Sequence, residues 1–333
     1  MKRLLCGAIC AILLLTLSAC APAKPAVTSF EAMDTLMTLT VYGDDKVGDQ
    51  LRSRIDELDS LLDMTDESSE LYRLNREKNA SVSADTAALL KRSLQLSEAL
   101  GGSFDLTVCP AVQAWGFTSG DYRIPDDDEL KKLSEMIDYR QVTLDGDSVK
   151  LSDNTRVDLG AVAKGYAADC CGKLLEESKA QAAVLNLGGT IRLYGRKPDG
   201  SPFKVGVADP GNPAAYFGYL SLDGGTIATS GGYERYFERN GRRYIHILDP
   251  KTAAPVENGV QSVTILTDDG TAADALSTAL FVMGRDRAIE YYHAHPGFDF
   301  VILTDDGTIS LTEGITDRFT LAQGYDLRIE TIN

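Results

Sequence analysis

Asp274 and Thr278 stand four positions apart in Gly270-Thr271-Ala272-Ala273-Asp274-Ala275-Leu276-Ser277-Thr278. That spacing puts two oxygen donors on one face of the opening turns of a helix whose other positions are apolar. Hard oxygen ligands of this kind suit Mg²⁺, which takes few protein ligands and fills its shell with water and substrate phosphate. An acidic residue serving only as a helix N-terminal charge would give the same pattern. A second segment, Val157-Asp158-Leu159-Gly160-Ala161-Val162-Ala163-Lys164-Gly165-Tyr166, passes from strand to helix near Gly160. The free N–H groups of a first helical turn there could face an anion, with Lys164 adding positive charge one turn in. Lys164 alone fits a phosphate contact and a solvated helix lysine equally. His246, one of three histidines, alternates with apolar residues in Tyr244-Ile245-His246-Ile247-Leu248-Asp249-Pro250. It reads as a structural histidine or as a group that takes a proton from a hydroxyl nucleophile. Gly101-Gly102-Ser103-Phe104-Asp105 leads into Trp115-Gly116-Phe117, an aromatic-rich segment that could sandwich a flat ring. The only tryptophan would equally serve as a packing residue. Two further glycine pairs, Gly188-Gly189 and Gly231-Gly232, follow strand-like runs and would let a ligand approach the backbone.

These residues need a scaffold, and hydrophobic periodicity outlines one. Met37–Tyr42 alternates as a strand, and Leu51, Ile55, Leu58 and Leu62 recur at helical spacing. A helix capped by Ser83 or Asp85 stops at Gly101-Gly102, and a shorter one spans about Asp127 to Ile137. Val142–Leu151 reads as a hairpin turning on Asp145-Gly146. A helix from near Gly160 to about Ser178 follows. Strands are expected at Ala183–Leu187, Phe203–Val207, Thr226–Thr229, Arg243–Leu248 and Val260–Leu266. Helices return at Asp274–Met283 and Asp286–Ala294, before a hairpin of Phe298–Leu303 and Thr308–Leu311. Strands and helices interleave without βαβ regularity, which predicts an α+β fold of mixed sheets with flanking helices rather than a doubly wound parallel sheet.

The N-terminus carries a different signal. Lys2 and Arg3 precede the apolar run Leu4–Leu17, too short to span a bilayer, which ends in Leu17-Ser18-Ala19-Cys20. This reads as a bacterial lipoprotein signal over residues 1–19, with Cys20 lipidated and residues 20–28 as a tether. The expected location is the cell envelope, anchored by lipid and facing the extracytoplasmic side. The remaining residues, 29–330, are expected to form one catalytic domain. The full chain of 333 residues has net charge −16, and loss of Lys2 and Arg3 would make it −18. Nucleic acid is excluded as a partner on that balance, because such binding draws on counterion release by basic residues. Cys109, Cys170 and Cys171 are an odd set with an adjacent pair, so buried thiols are expected rather than a disulfide framework. No C-x-x-C, H-E-x-x-H or P-loop is present.

The motifs, taken in order, resemble the FAD:protein FMN transferases, the ApbE-type flavin transferases, many of which are exported lipoproteins. They are Ala32-Met33-Asp34-Thr35, Ser69-Glu70 with Leu74-Asn75, Phe104-Asp105 with Trp115-Gly116-Phe117, and Asp158 through Tyr166. Asn186-Leu187-Gly188-Gly189, Thr229-Ser230-Gly231 with Tyr233, His246 through Pro250, and Ala273 through Leu280 complete the set. The resemblance implies an ApbE-like, T-fold-like domain that moves FMN from FAD to a Ser or Thr hydroxyl of a target protein, releasing AMP. Mg²⁺ is the implied cofactor and FAD the substrate. Met33, Ser103, Phe104, Asp105, Asp158, Lys164, Ile247 and Leu248 would line the FAD site. The backbone oxygen of Ala161, with Asp274, Ser277 and Thr278, would surround the metal, and His246 or Asp274 would deprotonate the acceptor. Implied partners are extracytoplasmic domains of membrane redox proteins or flavin-bearing lipoproteins. Two features depart from the pattern: Asp63–Glu67 lacks the aromatic residue common there, and Ala254 stands where glycine is common. A metal-dependent FAD pyrophosphatase and a flavin-binding lipoprotein without turnover are the competing readings.

Overall fold

A computed structural model describes residues 24–333. Residues 1–23, and with them the signal segment and Cys20, lie outside the described residues. Among those described, no helix is long and apolar enough to cross a membrane.

Nine strands form the central sheet: β1 (Ala26–Ala32), β2 (Thr35–Tyr42), β3 (Ala182–Asn186), β4 (Thr190–Gly195), β5 (Gly225–Gly231), β6 (Val260–Thr267), β7 (Asp299–Thr304), β8 (Thr308–Thr312) and β9 (Arg328–Ile332). Their order across the sheet is their order in the chain, antiparallel throughout except for the parallel β8–β9 pair. The middle strands of the sheet are buried on both faces, and their alternation sorts the two cores. On β7, Phe300 and Ile302 point to the helical layer, while Val301 and Leu303 point to a smaller three-stranded sheet on the other side. That small sheet comprises Phe203–Asp209, Asn212–Leu222 and Phe319–Leu321. The helical layer holds α1 (Val47–Leu62), α2 (Glu70–Glu77), α3 (Ala84–Ala99), α4 (Cys109–Trp115), α5 (Asp127–Met136), α6 (Ala163–Glu176), α7 (Gly270–Met283) and α8 (Arg285–Ala294). The arrangement is the mixed α+β architecture expected.

Several expectations change in detail. Ala26, Val27 and Thr28, assigned to the tether, pair with Val41, Thr40 and Leu39, because an edge strand there completes the sheet. The turn of the 142–151 hairpin is Gly146-Asp147 rather than Asp145-Gly146. Asp145 pairs with Ser148, and only Gly146 has positive φ, the pattern of a II′-type turn. The left-handed residue after Pro250 is Ala253 (φ +56°), and Ala254 lies on a short strand paired with Asp249. The helix placed from Gly160 starts at Ala163, since Asp158 folds back to accept from Gly160 N–H (2.8 Å). The helix placed from Asp274 starts one turn earlier, capped by Asp269, whose side chain accepts from Ala272 N–H. Asp274 is therefore past the first turn and is not an N-terminal cap charge.

Candidate active site

The site is assembled where α6 and α7 cross. They meet at Gly165 and Gly270, where a Cβ on Gly165 would lie 2.0 Å from the Gly270 carbonyl oxygen. Only two residues without side chains permit that approach. One turn beyond Gly270, Asp274 reaches back to α6. Its Oδ2 accepts from Gly165 N–H (2.6 Å) and its Oδ1 from the Thr190 hydroxyl on β4 (2.6 Å). One N–H of the first turn of α6, that of Gly165, is thus engaged by the protein's own Asp274 side chain. Gly165 N–H, engaged by Asp274, leaves the Ala161 carbonyl one turn back without that helical bond, on the wall of a cleft.

Hydroxyl groups gather beside the carboxylate. Ser277 donates to the Asp274 carbonyl (2.9 Å), and Ser230 on β5 lies 2.8 Å from Ser277 Oγ and 3.3 Å from Thr278 Oγ1. Asp274 is 6% exposed, and burial pushes its carboxyl above the usual range while the Lys164 charge pulls it down. Lys164 makes none of the ion pairs found among the described residues, such as Arg54–Asp85 or Arg235–Asp34. A buried carboxylate held by two neutral donors, with hydroxyls and a free carbonyl nearby, is a hard-oxygen donor set with lone pairs to spare. It fits Mg²⁺. Among the described residues no three His, Cys, Asp or Glu side chains converge, so a complete protein cage is absent and substrate oxygens would finish the shell.

The cleft these residues line has a volume of about 900 Å³. Its wall includes every residue placed in the flavin and metal sites from sequence: Met33, Ser103, Phe104, Asp105, Asp158, Ala161, Lys164, His246, Ile247, Leu248, Asp274, Ser277 and Thr278. Met33 sits with Asp34 in the two-residue β1–β2 turn, both left-handed (φ +49° and +58°). A methionine held in that conformation is strained by about 1 kcal/mol or more, and it projects this turn into the cleft.

Asp105 is mainly a brace. Its carboxylate accepts from Thr107 N–H and hydroxyl (2.8 and 2.6 Å) and from Tyr139 N–H (3.0 Å), and burial raises its pKa. Asp158 is also raised by burial. His246 Nδ1 lies 3.1 Å from the Arg235 carbonyl oxygen, which only accepts, so Nδ1 carries the hydrogen and Nε2 keeps its lone pair. Burial lowers its pKa to about 4, and the nearby positive charge of Arg235 and Lys164 acts in the same direction.

Other motif residues serve the scaffold. Asn75 clamps the Val157 backbone, donating to its carbonyl (2.8 Å) and accepting from its N–H (2.7 Å), and so fixes the approach to Asp158. Glu70 caps α3 by accepting from Ser83 N–H and from the Thr86 hydroxyl. Trp115 does not line the cleft. It is 2% exposed, donates from Nε1 to the Ala253 carbonyl (2.8 Å) and packs on Phe237 and Tyr244. Phe117 is the member of that segment on the wall. The three body cysteines are free thiols; Cys109 and Cys171 are buried as expected, while Cys170 is half-buried.

Sequence reasoning did not assign Thr190, Ser230 or Glu234. Ser230 belongs to a quoted motif, and its place between Thr229 and the Gly231-Gly232 pair is the available signal. Glu234 lines the same cleft, and its carboxyl is pushed up to about 7 by burial against the pull of Lys164 and Arg235. Thr190 follows Gly188-Gly189, and only the strand pairing that sets it opposite Ala228 brings it to Asp274.

The fold and the cleft together define a mixed α+β scaffold with a buried carboxyl group and a cluster of hydroxyls on the cleft wall at a helix crossing. The ApbE family model matches residues 33–302, and the chain belongs to that family of flavin transferases. A protein of Treponema pallidum named FAD:protein FMN transferase is 35% identical over 250 residues, covering 69% of this chain and 68% of its own. One of that name from Haemophilus influenzae is 28% identical over 342 residues, covering 96% and 99%. The crystal structure of the ApbE protein from Thermotoga maritima superposes with a TM-score of 0.81 at 32% identity, covering 87% of this chain and 98% of that one. The apo form of the Pseudomonas stutzeri flavinyl transferase ApbE gives 0.78 at 27% identity, covering 86% and 93%.

Proposed function

We propose that this enzyme transfers FMN from FAD to a Ser or Thr hydroxyl of a protein acceptor in a Mg²⁺-dependent reaction that releases AMP. The observation that carries the reading is the buried Asp274 carboxylate, clamped by Gly165 and Thr190 beside Lys164 at the wall of a dinucleotide-sized cleft. Asp274, Ser277, Thr278 and the Ala161 carbonyl would hold the metal. When bound, the ion would neutralise charge on the diphosphate and polarise the phosphoryl oxygens.

The chain's own groups account for the rest. In the transfer, the acceptor oxygen bonds to the FMN phosphorus, the bond from that phosphorus to the bridging oxygen breaks, and AMP leaves with the bridging oxygen. Lys164, free of an ion pair, meets the developing negative charge. The hydroxyl proton must go to a group in the cleft. His246 presents an unprotonated Nε2 at neutral pH, which supports a role in orienting the hydroxyl and taking its proton. Asp274, whose oxygens accept from Gly165 N–H and the Thr190 hydroxyl, is assigned to the metal, with lone pairs left on each oxygen. Met33, Ser103, Phe104, Asp105, Asp158, Ile247 and Leu248 would shape the flavin-nucleotide site. We also propose that Cys20 is lipidated and anchors the enzyme to the envelope, where extracytoplasmic domains of redox proteins or flavin-bearing lipoproteins would be acceptors.

The test is incubation with FAD, Mg²⁺ and an acceptor bearing an exposed Thr, followed by intact mass of the acceptor and analysis of the nucleotide. A gain of one FMN residue with AMP released is expected. Free FMN and AMP with an unmodified acceptor would replace transfer by hydrolysis, and stoichiometric, unconsumed FAD would leave a binding protein.

A further inference from the structure

The small sheet contributes a wall to the cleft through Ala208, Pro213 and Tyr216. Tyr216 is there because of a break in strand register. Along Asn212–Leu222 the residues Gly218, Leu220 and Leu222 alternate into the core, and Tyr216 has the same parity. Unbroken pairing would bury it with them. Instead Val207 pairs with Gly218 while Ala208 pairs with Tyr216, so Phe217 is an extra residue on the longer strand. This β-bulge lets Phe217 take the core position at 1% exposure and turns Tyr216 to the opposite face, where it is 46% exposed. Bulges re-aim side chains in this way beside functional sites.

The ring has one face covered and one open. A Cβ built on Gly206 would fall 2.4–2.7 Å from Cδ1, Cγ and Cε1 of Tyr216, so the ring lies across a residue with no side chain to lift it. Tyr219 is tilted against it at 5.8 Å between centroids. A half-exposed aromatic face at a cleft wall, flanked by Pro213 and Ile191, is a stacking platform for a planar ring.

We infer that Tyr216, presented by this bulge and bedded on Gly206, stacks on one of the two heteroaromatic rings of the dinucleotide bound in the cleft. This rests on the flavin-transfer reading for the ligand, and it assigns to the small sheet a recognition role beyond covering the core. Either the isoalloxazine or the adenine would satisfy the same ring chemistry, and the two halves of the dinucleotide distinguish them.

The test is titration of the purified protein with FAD, FMN and AMP, following flavin fluorescence and calorimetry, for wild type, Tyr216→Phe, Tyr216→Ser and Gly206→Ala. Base–aromatic stacking typically contributes enough that Tyr216→Ser should raise the FAD dissociation constant about tenfold, with Tyr216→Phe unchanged. Gly206→Ala, which pushes the ring off its bed without removing it, should also weaken binding. A parallel loss with FMN names the isoalloxazine, and one with AMP names the adenine. FAD affinity within about twofold of wild type in Tyr216→Ser, or a full loss in Tyr216→Phe, overturns the inference alone. Absence of FAD binding by the wild type would overturn the flavin-transfer reading with it.

Discussion

Stability between pH 7 and pH 4 should report on the imidazole at the centre of the cleft. His246 has its pKa lowered from 6.5 to about 4 by burial. In that window the unfolded chain binds a proton at this residue and the folded chain does not, so stability falls as pH drops from 6.5 towards 4. Above 6.5 the group contributes nothing to the pH dependence. The shift sets an upper limit of about 3 kcal/mol, and access of water to the ring through the cleft reduces it to about half that. Asp158 and Asp274 are also raised by burial, so the measurement must be a difference. Urea unfolding of wild type and His246→Asn across this range provides it, because the asparagine amide can still donate to the Arg235 carbonyl. Wild type should lose at least about 1 kcal/mol more than the variant between pH 7 and pH 4. The imidazole proton resonances of His246 should stay in the neutral position down to about pH 5. Parallel stability curves, or an imidazole that titrates at its ordinary value, would refute the argument that the cleft holds this ring neutral.

Lys164→Ala should raise the FAD dissociation constant tenfold or more, roughly the worth of one hydrogen bond to a charged group, with the melting temperature little changed; calorimetry checks the first and thermal unfolding the second. Asp274→Ala should abolish Mg²⁺-dependent FAD turnover while the circular dichroism spectrum stays native, and normal turnover would remove Asp274 from the metal site. Gly165→Ala drives a Cβ into the Gly270 carbonyl and must spread α6 from α7, so it should cost about 2 kcal/mol or more in unfolding free energy and weaken Mg²⁺ dependence together. Trp115→Phe removes the bond to the Ala253 carbonyl and should destabilise by about 1–3 kcal/mol without altering FAD affinity, since the indole packs behind the cleft.

What the sequence disclosed divides along the range of the interactions involved. Leu51, Ile55, Leu58 and Leu62 announce α1 because one helix face meets one core, and all four are buried. The glycine motifs are legible for the same reason, since a positive φ at Gly188 or Gly189 is a local demand of the backbone. Short elements such as α2 and α4 pass unnoticed because seven or eight residues give too few turns for a period to show. The parallel pairing of β9 with β8 joins strands that no hairpin turn connects, so no local signal marks it. Trp115 is ambiguous from sequence because packing and ligand stacking demand the same residue, and only the Ala253 carbonyl, 138 residues away, decides it.

The same division explains the site. Asp274 and Thr278 are recognisable by spacing alone, but spacing does not reveal where the carboxyl group points or what holds it. That depends on Gly165 and Gly270 letting two helices touch, on Gly165 giving its N–H to Asp274, and on Thr190 arriving from a strand across the sheet. Each of these residues looks unremarkable locally; their joint effect is to give a buried carboxyl group two hydrogen-bond donors, which offset part of the cost of burying it. The Tyr216 bulge follows the same logic elsewhere on the cleft wall, where one extra residue reverses the face a ring presents. A dinucleotide in this cleft would need its diphosphate at the helix crossing, and a ring fixed on Tyr216 would help to place it. Orientation by Tyr216 and charge neutralisation at Asp274 would then be two requirements of one reaction geometry.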